Sequence, residues 1–288
     1  MCLPAAAAGR PGGQISAYAR GRDYHDLGRT LLDELARRLG ERFPEQPEPK
    51  FEACIDTRPA PEVALAAAAG LGVIGRNGLL RTPQRGCQVH VGVLFTDLDL
   101  PEIIRNPEFA VKCAECGACV RNCPTGALAE GGSGGAVINR VRLCRSWLGM
   151  EQRGPFSRED QGRLGDSLFG CDVCTGCCPE VQCQGRAAPP SKLMPELADL
   201  EWILTTPVRE LERRLADTAL AHAGAARLKR NAAALLGSLL TGTERGAWRE
   251  RLLRESRSPA LRDTVAAWEQ ETSDVGPPKF TGGGRRHR

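Results

Sequence analysis

The sequence predicts an α+β fold in three parts: an α/β region over 1–105, a cysteine-rich region over 106–190 and a helical region over 191–271, followed by a disordered tail, 272–288. Three observations carry this. Leucines recur every fourth residue near the start, beside short apolar runs that alternate. Cysteines separated by two or three residues crowd the middle. Helix formers, broken by Gly, Thr or Pro, fill the last third.

In the first region, Leu27, Leu31, Leu35, Leu39 and Phe43 place an apolar stripe on a helix over 26–43. "FEACID" (51–56) reads as a strand ending on Asp56, and Pro61 is placed to start the next helix through "VALAAAA". "CQVHVGVLF" (87–95) alternates like a second strand. Between them, "GLGVIGRNG" (70–78) has the Gly-x-Gly-x-x-Gly spacing of a dinucleotide loop. Such a loop follows a strand, opens a helix and meets an acidic residue about 20 positions on. Here the glycines follow an alanine-rich helix instead, so they read as a helix C-cap.

The middle region carries the strongest signal. Cys113, Cys116, Cys119 and Cys123-Pro124 form C-x2-C-x2-C-x3-C-P, the bacterial ferredoxin run whose fourth cysteine serves a second 4Fe–4S cluster. Cys171, Cys174 and Cys178-Pro179 mirror it, and Cys144 completes eight. One cluster would take Cys113, Cys116, Cys119 and Cys178; the other would take Cys123, Cys144, Cys171 and Cys174. Cys177 stands beside Cys178 as the alternative ligand. Zinc favours sets of four with paired C-x2-C units, which leaves both C-P steps unexplained. "EGGSGG" (130–135) reads as a flexible surface insertion. Cys2, Cys54, Cys87 and Cys183 lack ligand spacing and read as incidental or small buried residues, and His90 and His222 as structural ones.

In a reducing compartment the thirteen cysteines are not expected to form disulfides, and metal ligation is the reading for the clustered ones. No apolar run reaches the ~18 residues of a membrane span, and the start is a poor signal peptide, so a cytoplasmic protein is expected. The net charge of +4 falls entirely on residues 191–288, with 17 Lys and Arg against 13 Asp and Glu. That excess is compatible with an RNA partner, and a solvated helical surface explains it as well. Successive helices in that region suggest HEAT-type stacked pairs.

Taken together, "ISAYARGRDYH" (15–25), "IDTRP" (55–59), "AGLGVIGRNGLL" (69–80), "LFTDLDLP" (94–101), both cysteine motifs and "RLKRNAAALLGS" (227–238) resemble the epoxyqueuosine reductase family. The resemblance implies an oxidoreductase with cobalamin and two 4Fe–4S clusters. It would reduce epoxyqueuosine to queuosine at the wobble position of tRNA. Asp56 would donate the proton. Tyr24, His25, Asn77, Leu80, Ser146 and Asp172 would lie near the corrin. Arg227, Lys229 and Arg230 would be the first candidates to hold tRNA phosphates. A monomer served by an external electron donor is expected. The chain departs from the family pattern at Arg58, Val73 and Gly78 and starts inside it, which suggests a shortened member or a paralogue. Two other readings keep part of this chemistry: a cobalamin-dependent reductase of another substrate, and a double-cluster electron carrier without catalysis.

Overall fold

The structure is a computed structural model that describes residues 12–46, 48–56, 58–83, 85–100, 113, 115–130, 137–179 and 194–269. Cys2, Cys183, the "EGGSGG" insertion after Glu130 and the tail from 272 lie outside the described residues.

Strand β1 (Gln14–Ile15) runs into a 3-10 turn (Ala17–Ala19) and then helix α1 (Tyr24–Arg42). Asp23 caps α1 by accepting the His25 N–H at 2.9 Å. The leucine period foretells the helix but not its buried face. Leu27, Leu31 and Leu35 are 61, 63 and 44% exposed. The inward face is built around Gly28, where an added Cβ would lie 2.5 Å from Ile55, and around Leu32, which sits over Gly92. Close approach to the strands is made at Gly28, leaving Leu27, Leu31 and Leu35 outside.

Strand β2 (Phe51–Cys54) leads to α2 (Glu62–Ala68), which starts after Pro61 as expected. Gly70, at φ +78°, ends it in the left-handed region, as a C-cap glycine does. The hairpin β3 (Val73–Ile74) and β4 (Leu80–Arg81) follows. Strand β5 (Val93–Thr96) pairs antiparallel with β2, Cys54 opposite Val93 and Phe51 opposite Thr96. It starts later than its alternation suggests, so His90 precedes the strand.

The cysteine region contributes α3 (Ala118–Arg121), the hairpin β6 (Leu128–Glu130) and β7 (Val137–Asn139), α4 (Arg145–Met150), α5 (Arg158–Leu164), β8 (Ser167–Phe169) and α6 (Val173–Gly176). Strand β8 pairs in parallel with β1, so the chain's first strand joins this region rather than β2 and β5. Among the described residues, six α-helices follow: α7 (Met194–Ala198), α8 (Leu200–Thr205), α9 (Val208–Leu215), α10 (Gly224–Leu239), α11 (Gly242–Glu255) and α12 (Pro259–Ala266). Among the described residues no helix is long and apolar enough to cross a membrane.

The main core gathers around α10, with Leu228, Ala232, Leu235 and Leu236 packed among Leu148, Phe156, Leu164, Leu168, Leu200, Ile203 and Val265. A polar seam fastens α10 to the cysteine region. Asn231 Nδ2 donates to the carbonyls of Gly149 and Leu168 at 2.8 and 3.0 Å. Arg230 donates to those of Gln152, Gly154 and Leu148 and stacks 3.9 Å over Phe156. Lys229 binds the Leu204 and Thr206 carbonyls, and Arg227 those of Ala223, Met150 and His222. These three cations are therefore occupied by backbone, which corrects the expectation that they hold tRNA phosphates. Most of these carbonyls lie at or next to the C-terminal ends of α4, α8 and the 3-10 turn before α10, where helix carbonyls lack partners of their own.

Candidate active site and thiol clusters

A cavity of about 390 Å³ opens between α1, the end of β2, α4 and the turn before α10. Tyr18, Tyr24, His25, Asp56, Met150, Glu151, Phe169 and His222 line it. Asp56 holds a left-handed backbone, φ +52°, which few residues besides Gly, Asn and Asp tolerate. Its N–H donates to Glu62 Oε1 at 2.6 Å, and the same oxygen receives the Cys54 thiol at 3.2 Å. The first acid of α2 thus ties the turn down, and the Asp56 carboxylate is left to face the cavity rather than to cap that helix.

Tyr24 holds the carboxylate from the other side, its phenol donating to Asp56 Oδ2 at 2.9 Å. Burial, and then the Asp56 charge, pushes the Tyr24 phenol well above its ordinary range, so it keeps its proton and stays a donor. The Tyr24 ring lies between two imidazoles, His25 and His90, each with its centroid 4.0 Å away, and Tyr18 meets it edge-on at 5.9 Å. Burial, then the neighbouring His25, pushes His90 below its usual value and favours the neutral ring. His25 Nδ1 lies 2.6 Å from Asp23 Oδ1. Across the cavity, His222 Nε2 sits 3.1 Å from Glu151 Oε1. His90, His222 and Glu151 were not singled out from sequence as site residues. His222 and Glu151 reach the cavity from remote elements, and His90 reaches it only through the Tyr24 ring it stacks on, which no local spacing announces.

A second, smaller hollow is ringed by thiols. Cys113, Cys116, Cys119, Cys174 and Cys178 line it with Gly75, Arg76, Asn77 and Arg81. Cys177 also lies close: its thiol is pushed up by burial first and then by Cys119, with Cys178 and Cys116 adding to it. Cys178, not Cys177, lines the hollow. Beyond it, burial and then Cys171 and Cys144 push Cys174 upward, so those three thiols are mutual neighbours. Cys123 receives the Leu128 N–H on sulfur at 3.5 Å. Among the described residues no three His, Cys, Asp or Glu side chains are set to hold a single metal ion.

The residues expected near a corrin divide three ways. Tyr24 and His25 share the cavity with Asp56. Asn77 borders the thiol hollow instead, its Nδ2 donating to the Cys174 carbonyl at 3.4 Å, and Leu80 is buried in β4. Ser146 donates to Met150 Sδ at 3.3 Å, one turn along α4. The Asp172 carboxylate is engaged by the Ser16 hydroxyl, by the Ala17 N–H at 2.7 Å and by Arg20 at 3.8 Å. It anchors the turn after β1.

Known proteins place these features in one lineage. The family described as "Epoxyqueuosine reductase QueG, DUF1730" matches residues 4–57, and the "4Fe-4S double cluster binding domain" matches 112–180, the stretch that bears the thiols. An epoxyqueuosine reductase of Gloeobacter violaceus is 34% identical over 78% of this chain and 70% of its own. One from Pseudomonas aeruginosa is 34% identical over 78% and 60%. The chain spans 43% of the relative from Francisella and 42% of that from Aliivibrio fischeri. Epoxyqueuosine reductase from Bacillus subtilis shares the fold at TM-score 0.75 and 24% identity, covering 91% of this chain and 67% of that one. An epoxyqueuosine reductase crystallised with an epoxyqueuosine-modified tRNA stem loop superposes at TM-score 0.76, with 25% identity and the same coverage. An identity above 30% sustained over more than two thirds of the Gloeobacter protein decides the matter, and the chain belongs to the epoxyqueuosine reductase family.

Proposed function

We propose that this chain is an oxidoreductase that reduces epoxyqueuosine to queuosine in the anticodon loop of a tRNA, in the cytoplasm, with two 4Fe–4S clusters and cobalamin. The family works with both cofactors. The observation that carries the reading is Asp56, held at the wall of an aromatic cavity by Tyr24 on one side and Glu62 on the other. We read the chain as a cobalamin region over 1–105, a double-cluster domain over 106–190 and HEAT-like helices over 191–271.

The residues fit the groups. Tyr18, Tyr24, His25 and Phe169, with Met150, offer an aromatic and thioether lining against which a macrocycle would pack. The thiols fit iron–sulfur ligation: Cys113, Cys116, Cys119 and Cys178 would hold one cluster, and Cys123, Cys144, Cys171 and Cys174 the other. The Leu128 N–H on Cys123 is the kind of backbone support that thiolate ligands receive. Asn77, Leu80, Ser146 and Asp172 would act behind this wall, through the elements that carry the thiols.

Converting an epoxide to an alkene consumes two electrons and two protons and releases water. When bound, cobalamin supplies the low-potential carbon–oxygen bond cleavage, and the clusters pass electrons one at a time. Asp56 supplies one of the two protons, and solvent supplies the other. Tyr24 occupies Asp56 Oδ2 and leaves Oδ1 to carry the transferable proton to the epoxide oxygen. Once the proton has gone, the Tyr24 hydrogen bond stabilises the carboxylate that remains. His222 and Glu151 on the far wall are placed to fix the substrate's polar edge.

Asp56→Asn in the reconstituted protein should cut turnover of epoxyqueuosine-tRNA about 10²-fold or more while iron content and cobalamin binding stay level. Full turnover by that variant would remove Asp56 from the chemistry. Eight irons without cobalamin binding in the parent protein would mark it as an electron carrier.

A further inference from the structure

The glycine-rich loop has a role that is neither nucleotide binding nor capping alone. An added Cβ at Gly72 would lie 2.0 Å from the Arg81 carbonyl oxygen, and one at Gly75 would lie 3.0 and 3.4 Å from the Arg81 Cδ and Cγ. The two glycines let β3 and the turn after it close down over β4. What they close over is the backbone and aliphatic stem of Arg81. Arg81 is only 2% exposed, and its side chain lines the hollow ringed by Cys113, Cys116, Cys119, Cys174 and Cys178. Its charge acts on two of the neighbouring thiols, Cys113 and Cys87, in the direction that favours the thiolate.

Thiolates bound to an iron–sulfur core carry negative charge, and Arg81 sets a fixed cation beside them. Reduction adds one negative charge to a cluster, and a fixed cation beside it stabilises that state over the oxidised one. An N–H donor on a ligand sulfur acts in the same direction.

We propose that Arg81 is the residue that raises the reduction potential of the cluster held by Cys113, Cys116, Cys119 and Cys178, so that this cluster is where an electron rests before delivery. The inference depends on the proposed assignment of those four ligands. Arg81 acts through the cluster and touches no substrate, so it is a positioning residue. Its charge should matter more than its shape.

The test is redox titration of both clusters, followed by EPR, in the reconstituted full chain and in Arg81→Met and Arg81→Lys. Arg81→Met should move one cluster's midpoint negative by about tenfold in its one-electron equilibrium, ~59 mV. Arg81→Lys should recover most of that, and the second cluster should not move. Two intact clusters with unmoved midpoints in Arg81→Met would overturn the proposal. A readout on the unaltered protein covers the case in which Arg81→Met fails to assemble. With ¹⁵N-arginine labelling, the reduced cluster's pulsed EPR spectrum should show coupling to a guanidinium nitrogen, and absence of that coupling overturns it too. Parent protein without two clusters would instead sink the ligand assignment, a failure the iron count reveals separately.

Discussion

The helical half and the α1–β5 lobe are built on opposite plans. All residues of the main core come from positions 15, 19 and 148–268, and none from the lobe between. Among the described residues, eight of the eleven large exposed apolar side chains lie in or just after that lobe: Leu27, Leu31, Leu35, Leu65, Leu71, Ile74, Phe95 and Leu100. The helical half buries its leucines on several sides. The lobe is two helices, α1 and α2, with two separate two-stranded ribbons, β2–β5 and β3–β4. Two-stranded units are marginal alone, so the lobe's order depends on what it packs against. Yet the lobe carries Tyr24, Asp56 and His90, whereas the helical half positions α4 and β8. One half supplies stability and the other presents the acid, a division expected where reactive groups sit on the less stable part of a fold.

The comparison breaks most visibly at the seam. Asn231→Ala would leave the Gly149 and Leu168 carbonyls without their donor in the best-packed part of the molecule. We expect a loss of about 3 kcal/mol in global stability by denaturant titration. Leu31→Ser on α1, an exposed position, serves as the matched control and should stay within about 0.5 kcal/mol. Equal losses would mean that the leucine stripe is covered in solution and that the two halves are not so different.

This contrast also explains what could be read from the sequence. Cluster ligation is local, so C-x2-C-x2-C-x3-C-P spells out the chemistry before any tertiary contact is known. The α1 helix was legible for the same reason, because its period is a property of neighbours. Its buried face was not, since that depends on Gly28 meeting Ile55 across the lobe. Charge misled most. Arg227, Lys229 and Arg230 look like a basic surface, yet backbone carbonyls at Met150, Gln152, Gly154 and Thr206 claim them from far along the chain. Arg81 and Asp172 are charged residues claimed in the same long-range way. The glycines carried a true signal for close backbone approach, but the group approached was hidden until β4 was placed.

Gly72→Ala sharpens the comparison from the lobe's side. Its Cβ would meet backbone, the Arg81 carbonyl at 2.0 Å, so the hairpin must move rather than a side chain. Overpacking of this kind costs about 1–3 kcal/mol. In a thin lobe we expect that cost as local opening. Amide exchange should speed up at Gly75 and Gly78, whose N–H groups hold the hairpin turn, while α10 stays protected. Uniform loss of protection through α10 would show one cooperative unit instead of two plans.

The smallest effect concerns pH. Burial, then His25, lowers the His90 pKa from its ordinary 6.5, with Asp56 opposing. The unfolded chain therefore takes up this proton at a higher pH than the folded one. Stability from His90 is fully present above about pH 6.5 and drains away as pH falls from there through the folded value. Tyr24, Tyr18, His25 and Asp56 face this ring. Protonating it would place a cation against His25 inside the stack that holds Tyr24 on Asp56. His90→Phe keeps a ring in the stack and removes the titration. Its denaturation midpoint should fall less than the parent's between pH 7.5 and about pH 5.5. Parallel slopes would show that His90 is as hydrated as in the unfolded chain, and that the lobe is open around Tyr24 even where it looks closed.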